Sequence, residues 1–381
     1  MINIAAAMNT AIPILIFILI LGVVVFVHEF GHFIMARRAG IFVEEFALGM
    51  GPKLVTIRGK KKSSTPIDGE EDVTLYTLRA LPLGGFCKMR GMEENIPGDS
   101  EAMNNKSVFD RILVIAGGSA MNFLLALVMF SILIFLTGYT TPLVRSVVDD
   151  MPAQQAGLQV GDRITHINGS RVSLWENFRF MMDTSGGREI DVRVRRNDQR
   201  INLTMTPQLG IDGVYRIGMN PVNRAGFLTQ IPEGVVDYER ASIWGSATTA
   251  VDMIGFHIRT PFRILSRFVT RQPVPEGAEV MSVIGIGAQV TEIYQDTIQY
   301  GIMPTVLTML FLTALFSVAI GTMNLLPIPA LDGARLVFLV IEGIRRKPVS
   351  PEREGMVHMV GFVLLIVLLV FVASRDIARL L

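Results

Sequence analysis

Residues 297–331 and 112–138 contain no Asp, Glu, Lys or Arg, which leaves 35 and 27 consecutive uncharged positions. A helix that crosses the hydrocarbon of a bilayer needs about 20 mostly apolar residues, so each run is long enough to do so. Two further segments qualify, roughly 11–36 and 355–374. The whole chain is half hydrophobic and 18% charged, against about a quarter charged in soluble domains. The expectation is a polytopic α-helical membrane protein with four transmembrane helices, not a soluble enzyme. No Lys or Arg precedes Arg37, so the first segment lacks the basic lead of a cleaved signal peptide and reads as a retained helix. With 35 basic and 34 acidic residues, no nucleic-acid partner is expected. The lone Cys87 excludes an intrachain disulfide and a thiolate-rich zinc site. It reads as a small buried hydrophobe.

Basic residues orient the spans. Segment 37–111 holds Arg37, Arg38, Lys53, Arg58 and eight more, and the link between the third and fourth spans holds Arg345, Arg346, Lys347 and Arg353. The N-terminal tail and residues 272–296 hold none. Both basic loops are therefore expected in the cytoplasm, with both termini and the 139–296 region outside. Arg375 and Arg379 weigh the other way.

The first span reads VVVFVHEFGHFIMARR. His28 and His32 are four apart, so on a helix they share one face. Two imidazoles so placed can grip one zinc ion, with Glu29 beside them as general base for the attacking water. His28 precedes Arg37 by nine residues, roughly 13 Å at helical rise, and ionisable groups at such depth are functional candidates. Coincidence is a poor alternative in a chain with five histidines. His166, His257 and His358 have no spaced partner and are read as structural. Catalytic zinc takes three protein ligands and leaves a position for water. Asp332, in MNLLPIPALDGARL, closes the longest uncharged run, and Pro327 and Pro329 must break the helix just before it. A rival pairs Asp332 with Arg335 one turn on, as a helix cap. Asn324 stands where the break begins, with amide groups free to bind backbone.

HEFGH on the first helix together with NLLPIPALDG on a late helix resembles the site-2 protease family of intramembrane zinc metalloproteases. GSAMN (Gly118 to Asn122) on the second span is similar to that family's Gly-x-x-x-Asn element, though small residues in spans also serve helix packing. The resemblance implies His28, His32 and Asp332 as ligands of one Zn²⁺ per chain, Glu29 as catalytic base and Asn324 as a substrate-holding residue. It also implies a bacterial cell membrane location.

Residues 73–90, VTLYTLRALPLGGFCKMR, read as two short strands broken at Pro82 and Gly84–Gly85, and 59–72 as a mobile polar loop. The strands either lie on the membrane surface or present a sheet edge to substrate. A helical substrate must be drawn into extended form before water reaches its peptide bond, and an added strand replaces the hydrogen bonds lost. Leu83, Gly84, Gly85 and Phe86 resemble the family's membrane re-entrant β-loop on the cytoplasmic side, a candidate substrate edge. Outside, MPAQQAGLQVGDRITHINGSRV resembles a bacterial PDZ module. A short helix opens at Pro152, a strand spans 163–167, Asn168–Gly169 turns tightly, a helix suits 173–182, and strands alternate over 189–195 and 200–206. One α+β PDZ copy fits. Residues 236–270 form an amphipathic stretch that either lies on the outer leaflet or packs under the PDZ module. MSVIGIG (281–287) departs from the family's usual Ser-Gly-Pro-Val/Ile-Gly-Ile run.

The chain thus divides into 1–36 (first span, with His-Glu-x-x-His), 37–111 (cytoplasmic-side loop and hairpin) and 112–138 (second span). There follow 139–210 (PDZ domain), 211–296 (outer linker with amphipathic helix), 297–345 (third span with the Asp332 motif) and 346–381 (fourth span and tail). The expected activity is zinc-dependent intramembrane cleavage of single-pass membrane proteins in the inner-leaflet half. The family implies anti-sigma factors or remnant signal peptides, and hence regulated intramembrane proteolysis. The PDZ domain would contact substrate or act as a size filter. Two rivals are a divalent-metal transporter, which needs no glutamate beside His28, and an inactive PDZ scaffold, which needs no metal.

Overall fold

The computed structural model describes residues 4–64, 73–92, 96–211, 213–228, 240–272 and 281–380. Residues 65–72, most of the expected polar loop, and 236–239 at the start of the amphipathic stretch lie outside the described residues. The chain divides into two compact units, one built from residues 1–126 with 280–381 and the other from 127–279.

The first unit opens with α1 (Ile4–Arg38). Its buried positions Phe17, Ile20, Val24, His28, His32 and Ala36 recur every three or four residues, a single stripe. Leu15, Leu19 and Phe26 on the opposite face are exposed, which suits a helix with lipid on one side. Gly40, at φ +68°, ends it. Next come β1 (Val43–Lys62) and β2 (Val73–Met89), two bent strands whose pairing is antiparallel except where 45–48 run parallel to 75–78. Residues 43–48 pair with 85–89 on one side and with 75–78 on the other, and 75–79 pair in turn with 53–58. The two halves of β2 thus act as separate strands, and Gly84 at φ +82° lets the chain bend between them. Among the described residues, the 85–89 segment has a ladder partner on one side only. Glu45 ties the sheet together by accepting from Thr77 Oγ1 at 2.6 Å and Arg79 Nη2 at 2.7 Å, with Lys53 Nζ at 3.2 Å. Helix α2 (Val108–Thr137) follows and runs across the division between the units.

The second unit contains β3 (Gly138–Val147), α3 (Pro152–Gln155), β4 (Arg163–Ile167), β5 (Ser170–Arg171), α4 (Trp175–Asp183), β6 (Ile190–Arg196) and β7 (Gln199–Met205). It continues through β8 (Gln208–Leu209), β9 (Tyr215–Arg216), β10 (Met219–Ala225) and α5 (Ile243–Val269). The main sheet has the order β10-β3-β4-β6-β7, antiparallel throughout, with β5 paired to β4. Ile190, Val192 and Val194 alternate inward along β6 and meet Ile164, Ile167, Phe178 and Met182 in one core. Asn168 and Gly169 have φ of +48° and +74°, the mirror-image turn that joins β4 to β5. Asp162 is fully buried and accepts from Arg196 at 2.6 and 2.7 Å. Helix α5 packs against α4 along part of its length and leaves other apolar residues exposed. Phe256 packs edge-on against Phe180 of α4, and Arg267 donates to the Thr184 carbonyl at 3.2 Å. Ile243, Trp244, Leu265 and Phe268 meanwhile remain exposed.

The chain then returns to the first unit with α6 (Val283–Ile298), α7 (Ile302–Leu325), α8 (Asp332–Arg345) and α9 (Pro351–Leu380). Ser282 caps α6, and its backbone N–H donates to Asp376 Oδ2 of α9 at 2.6 Å. The Pro327–Pro329 stretch interrupts the helix between α7 and α8. Among the described residues, the helices long and apolar enough to cross a membrane are Ala11–Arg38, Val108–Thr137, Ile302–Leu325 and Glu352–Arg379.

Candidate metal centre and active site

Helices α1 and α2 cross almost backbone to backbone. A Cβ on Gly31 would strike the Gly117 carbonyl, and one on Gly118 would strike the His32 ring and come within 2.8 Å of His28 Nε2. The small residues at 117 and 118 therefore make room for two imidazoles between the helices. One turn along α2, Ser317 of α7 donates to the Asn122 carbonyl at 2.8 Å, and a Cβ on Gly321 would stand 3.2 Å from Asn122 Cβ. These contacts bring α7, and with it the break before Asp332, up to the histidines. Ile328 N–H donates to Leu326 O at 2.7 Å and Leu331 N–H to Ile328 O at 3.1 Å. This turning backbone sets Asp332 at the first residue of α8.

His28 Nε2 and His32 Nε2 each lie 3.1 Å from Asp332 Oδ2 and 3.2 Å from one another. Among the described residues these three form a group whose donor atoms converge closely enough to hold one ion. Asp332 thus faces the histidines, not Arg335, so the helix-cap alternative is not the arrangement adopted. Ligands about 2.05 Å from a tetrahedral zinc stand about 3.3 Å apart, close to the triangle seen here. The outer nitrogens fit as well. His32 Nδ1 donates to the Val114 carbonyl at 2.9 Å, which leaves Nε2 a bare lone pair. His28 Nδ1 is 3.3 Å from the Asn122 amide nitrogen, while Asn122 Oδ1 is buried without a partner. A half-turn of that amide gives the oxygen the His28 Nδ1–H and frees His28 Nε2 in the same way. Two lone pairs and a carboxylate oxygen facing one another in a buried triangle need a cation between them. The residues present fit zinc.

The triad opens on a cavity of about 590 Å³ that Glu29 and Asn324 also line. Gly84, Gly85 and Phe86 form part of its wall, and Leu83 precedes them in β2. A Cβ on Gly85 would strike the Ala47 carbonyl at 2.8 Å and only touch Glu29 Cγ at 3.4 Å, so the lack of a side chain there serves the close pairing with β1 and leaves the strand edge beside the glutamate. Arg79 stands over the Phe86 ring at 4.8 Å and holds that side chain in place. The cavity also contains residues that the spacing of the motifs does not announce. Arg335 lines it, and His358 Nδ1 accepts the N–H of Ala330, two residues before Asp332, at 3.0 Å. Asn122 carried a signal, since it lies four residues after Gly118 on the same helix face, but its contact with His28 depends on how the helices cross.

A family model for peptidase family M50 matches residues 16–368. A protein of Clostridium acetobutylicum is 33% identical over 96% of this chain and 97% of its own length. The zinc metalloprotease RasP of Bacillus licheniformis is 31% identical over 98% of this chain and all of its own length. Among solved structures, the PDZ domain of an SdrC-like protein from Listeria monocytogenes is 24% identical, covering 22% of this chain and 87% of that domain with a TM-score of 0.20. Since the M50 model and relatives at this identity extend over nearly the whole of a chain with several apolar helices, it is a multi-pass membrane protein that belongs to peptidase family M50, the site-2 proteases, a family of metalloprotease hydrolases.

Proposed function

We propose that the chain is an intramembrane endopeptidase with one zinc ion per chain, which cleaves single-pass membrane proteins within the bilayer. The observation that carries this reading is the convergence of His28, His32 and Asp332, from helices some 300 residues apart, on a cavity that also holds Glu29 and a strand edge. A zinc ion held by those three side chains would polarise the scissile carbonyl and acidify water beside it. Glu29 takes a proton from the attacking water and returns it to the leaving amine. The backbone of Gly84, Gly85 and Phe86 receives the unwound substrate as an added strand, which replaces the hydrogen bonds lost from its helix. Asn324, on the cavity wall, holds a substrate carbonyl or N–H with its amide.

The distribution of Lys and Arg supports both termini and residues 139–296 outside the cell and the metal centre towards the cytoplasm. Cleavage then falls in the inner-leaflet half of the substrate. We read residues 139–210 as a PDZ domain that contacts substrate or excludes bulky ectodomains. The substrates are proteins already shortened outside, of the anti-sigma-factor or remnant-signal-peptide kind, in regulated intramembrane proteolysis.

The test is metal analysis and cleavage of a truncated single-span substrate in proteoliposomes. Wild type should hold stoichiometric zinc and cleave. Glu29→Gln should keep zinc and lose cleavage, and Asp332→Ala should lose zinc. Metal flux that survives Glu29→Gln would favour a transporter. Wild type without zinc or product would favour a scaffold.

A further inference from the structure

Arg335 sits three residues after Asp332 in the first turn of α8, on the same helix face and about 4.5 Å along the axis. It lines the metal cavity, and it also lines a second cavity of about 480 Å³ whose wall includes Asn104, Glu342 and Ser350. Among the described residues Met92 and Arg335 line both cavities, so Arg335 stands on the wall that the two spaces share.

The cations around it are engaged. Lys53 and Arg79 pair with Glu45, Lys88 with Glu44, Arg90 with Asp99, and Arg111 with Glu342 at 2.8 Å. Asp332, the carboxylate closest to Arg335 in sequence, faces His28 and His32. Among the described residues Arg335 makes no hydrogen bond and no ion pair. A half-buried guanidinium with five donors and no protein partner among the described residues, on the wall of a cavity, is matched to a planar anion that arrives from elsewhere.

Hydrolysis supplies such an anion. The oxygen of water bonds to the scissile carbonyl carbon, the C–N bond breaks, and the water's protons end on the new amine. The fragment on the N-terminal side of the cut then carries a carboxylate that it lacked as substrate. We propose that Arg335 binds this newly formed carboxylate and draws the product from the metal cavity towards the adjoining one. The inference rests on the peptidase reading above and adds a product-binding residue to the same site.

The test uses the full-length protein in detergent and one labelled apolar hexapeptide in two forms, the C-terminal free acid and the C-terminal amide. Binding is measured by fluorescence anisotropy with zinc-loaded and zinc-depleted protein. Wild type should prefer the acid over the amide by about tenfold, and the preference should survive zinc removal because the guanidinium remains. Arg335→Gln should abolish it in zinc-depleted protein, while Arg335→Lys should keep part of it. An unaltered preference in Arg335→Gln, or its disappearance from zinc-depleted wild type, would overturn the assignment. The second arm needs no variant, so it decides the matter even where Arg335→Gln fails to fold, which its zinc content reveals. Failure of the peptidase reading shows separately, as zinc-loaded wild type that cleaves nothing.

Discussion

Replacing Gly118 by alanine tests how the metal centre is assembled. The new methyl would sit on the His32 ring and 2.8 Å from His28 Nε2, whereas carbon and nitrogen in ordinary contact are about 3.4 Å apart. Both imidazoles, or the whole of α1 against α2, must move: the His28 ring by about 0.6 Å and the His32 ring by more. Zinc–ligand distances tolerate only about 0.2 Å. Two of three donors are displaced together, so zinc affinity should fall by about 100-fold or more, roughly 3 kcal/mol. The assay is competition for zinc against a chromophoric chelator, with thermal unfolding measured in parallel. Gly22→Ala, on the same α1 helix with nothing within 4 Å of its new Cβ, should leave zinc affinity unchanged. Gly118→Ala protein that folds and binds zinc as tightly as wild type would refute the proposed placement of the histidines.

His358→Ala removes the acceptor for the Ala330 N–H in a turn where Ala330 holds a left-handed φ of +74°, and should lower both zinc retention and cleavage by about tenfold. His358→Asn, whose Oδ1 can still accept, should restore most of the loss, and cleavage kinetics with zinc analysis distinguish the outcomes. Burial pushes His257 down to about 4 from an ordinary 6.5, so its packing against Phe130 and Phe256 favours the neutral ring. That contribution is complete above pH 6.5 and is lost as pH falls towards 4. About 2 kcal/mol should disappear from α5 packing between pH 7 and pH 5. Hydrogen exchange of α5 amides should show this loss, and His257→Phe should abolish the pH dependence.

The parts of this protein that were legible in its sequence are those with a local signature. Four apolar runs, histidines four apart and an aspartate after paired prolines each express a constraint within one turn or one span. The strand of residues 163–167 and the turn at Asn168–Gly169 belong with them, because alternation and positive φ are local properties. What escaped the sequence depends on approach between distant segments. Residues 43–48 pair with both halves of β2, and no periodicity within either strand specifies that. The support of His32 by the Val114 carbonyl uses a backbone group that any residue would supply. Arg335 was visible only as a partner for Asp332, since a shared helix face says nothing about which of two nearby carboxylate receptors is the closer. Asp162 and Arg196 pair across 34 residues, where the register of β4 on β6 decides.

The body that holds the metal centre is assembled from the two ends of the chain, with His28 and Asp332 separated by 304 positions. Translation proceeds at about 5–20 residues per second, so roughly 15–60 s pass between synthesis of the opening helix and arrival of the residue that completes the triad. On the proposed reading, the growing polypeptide carries the histidines and the glutamate during that interval but lacks the third ligand for zinc. If Asp332 is that ligand, a chain cut short before residue 332 should bind no zinc and cleave nothing.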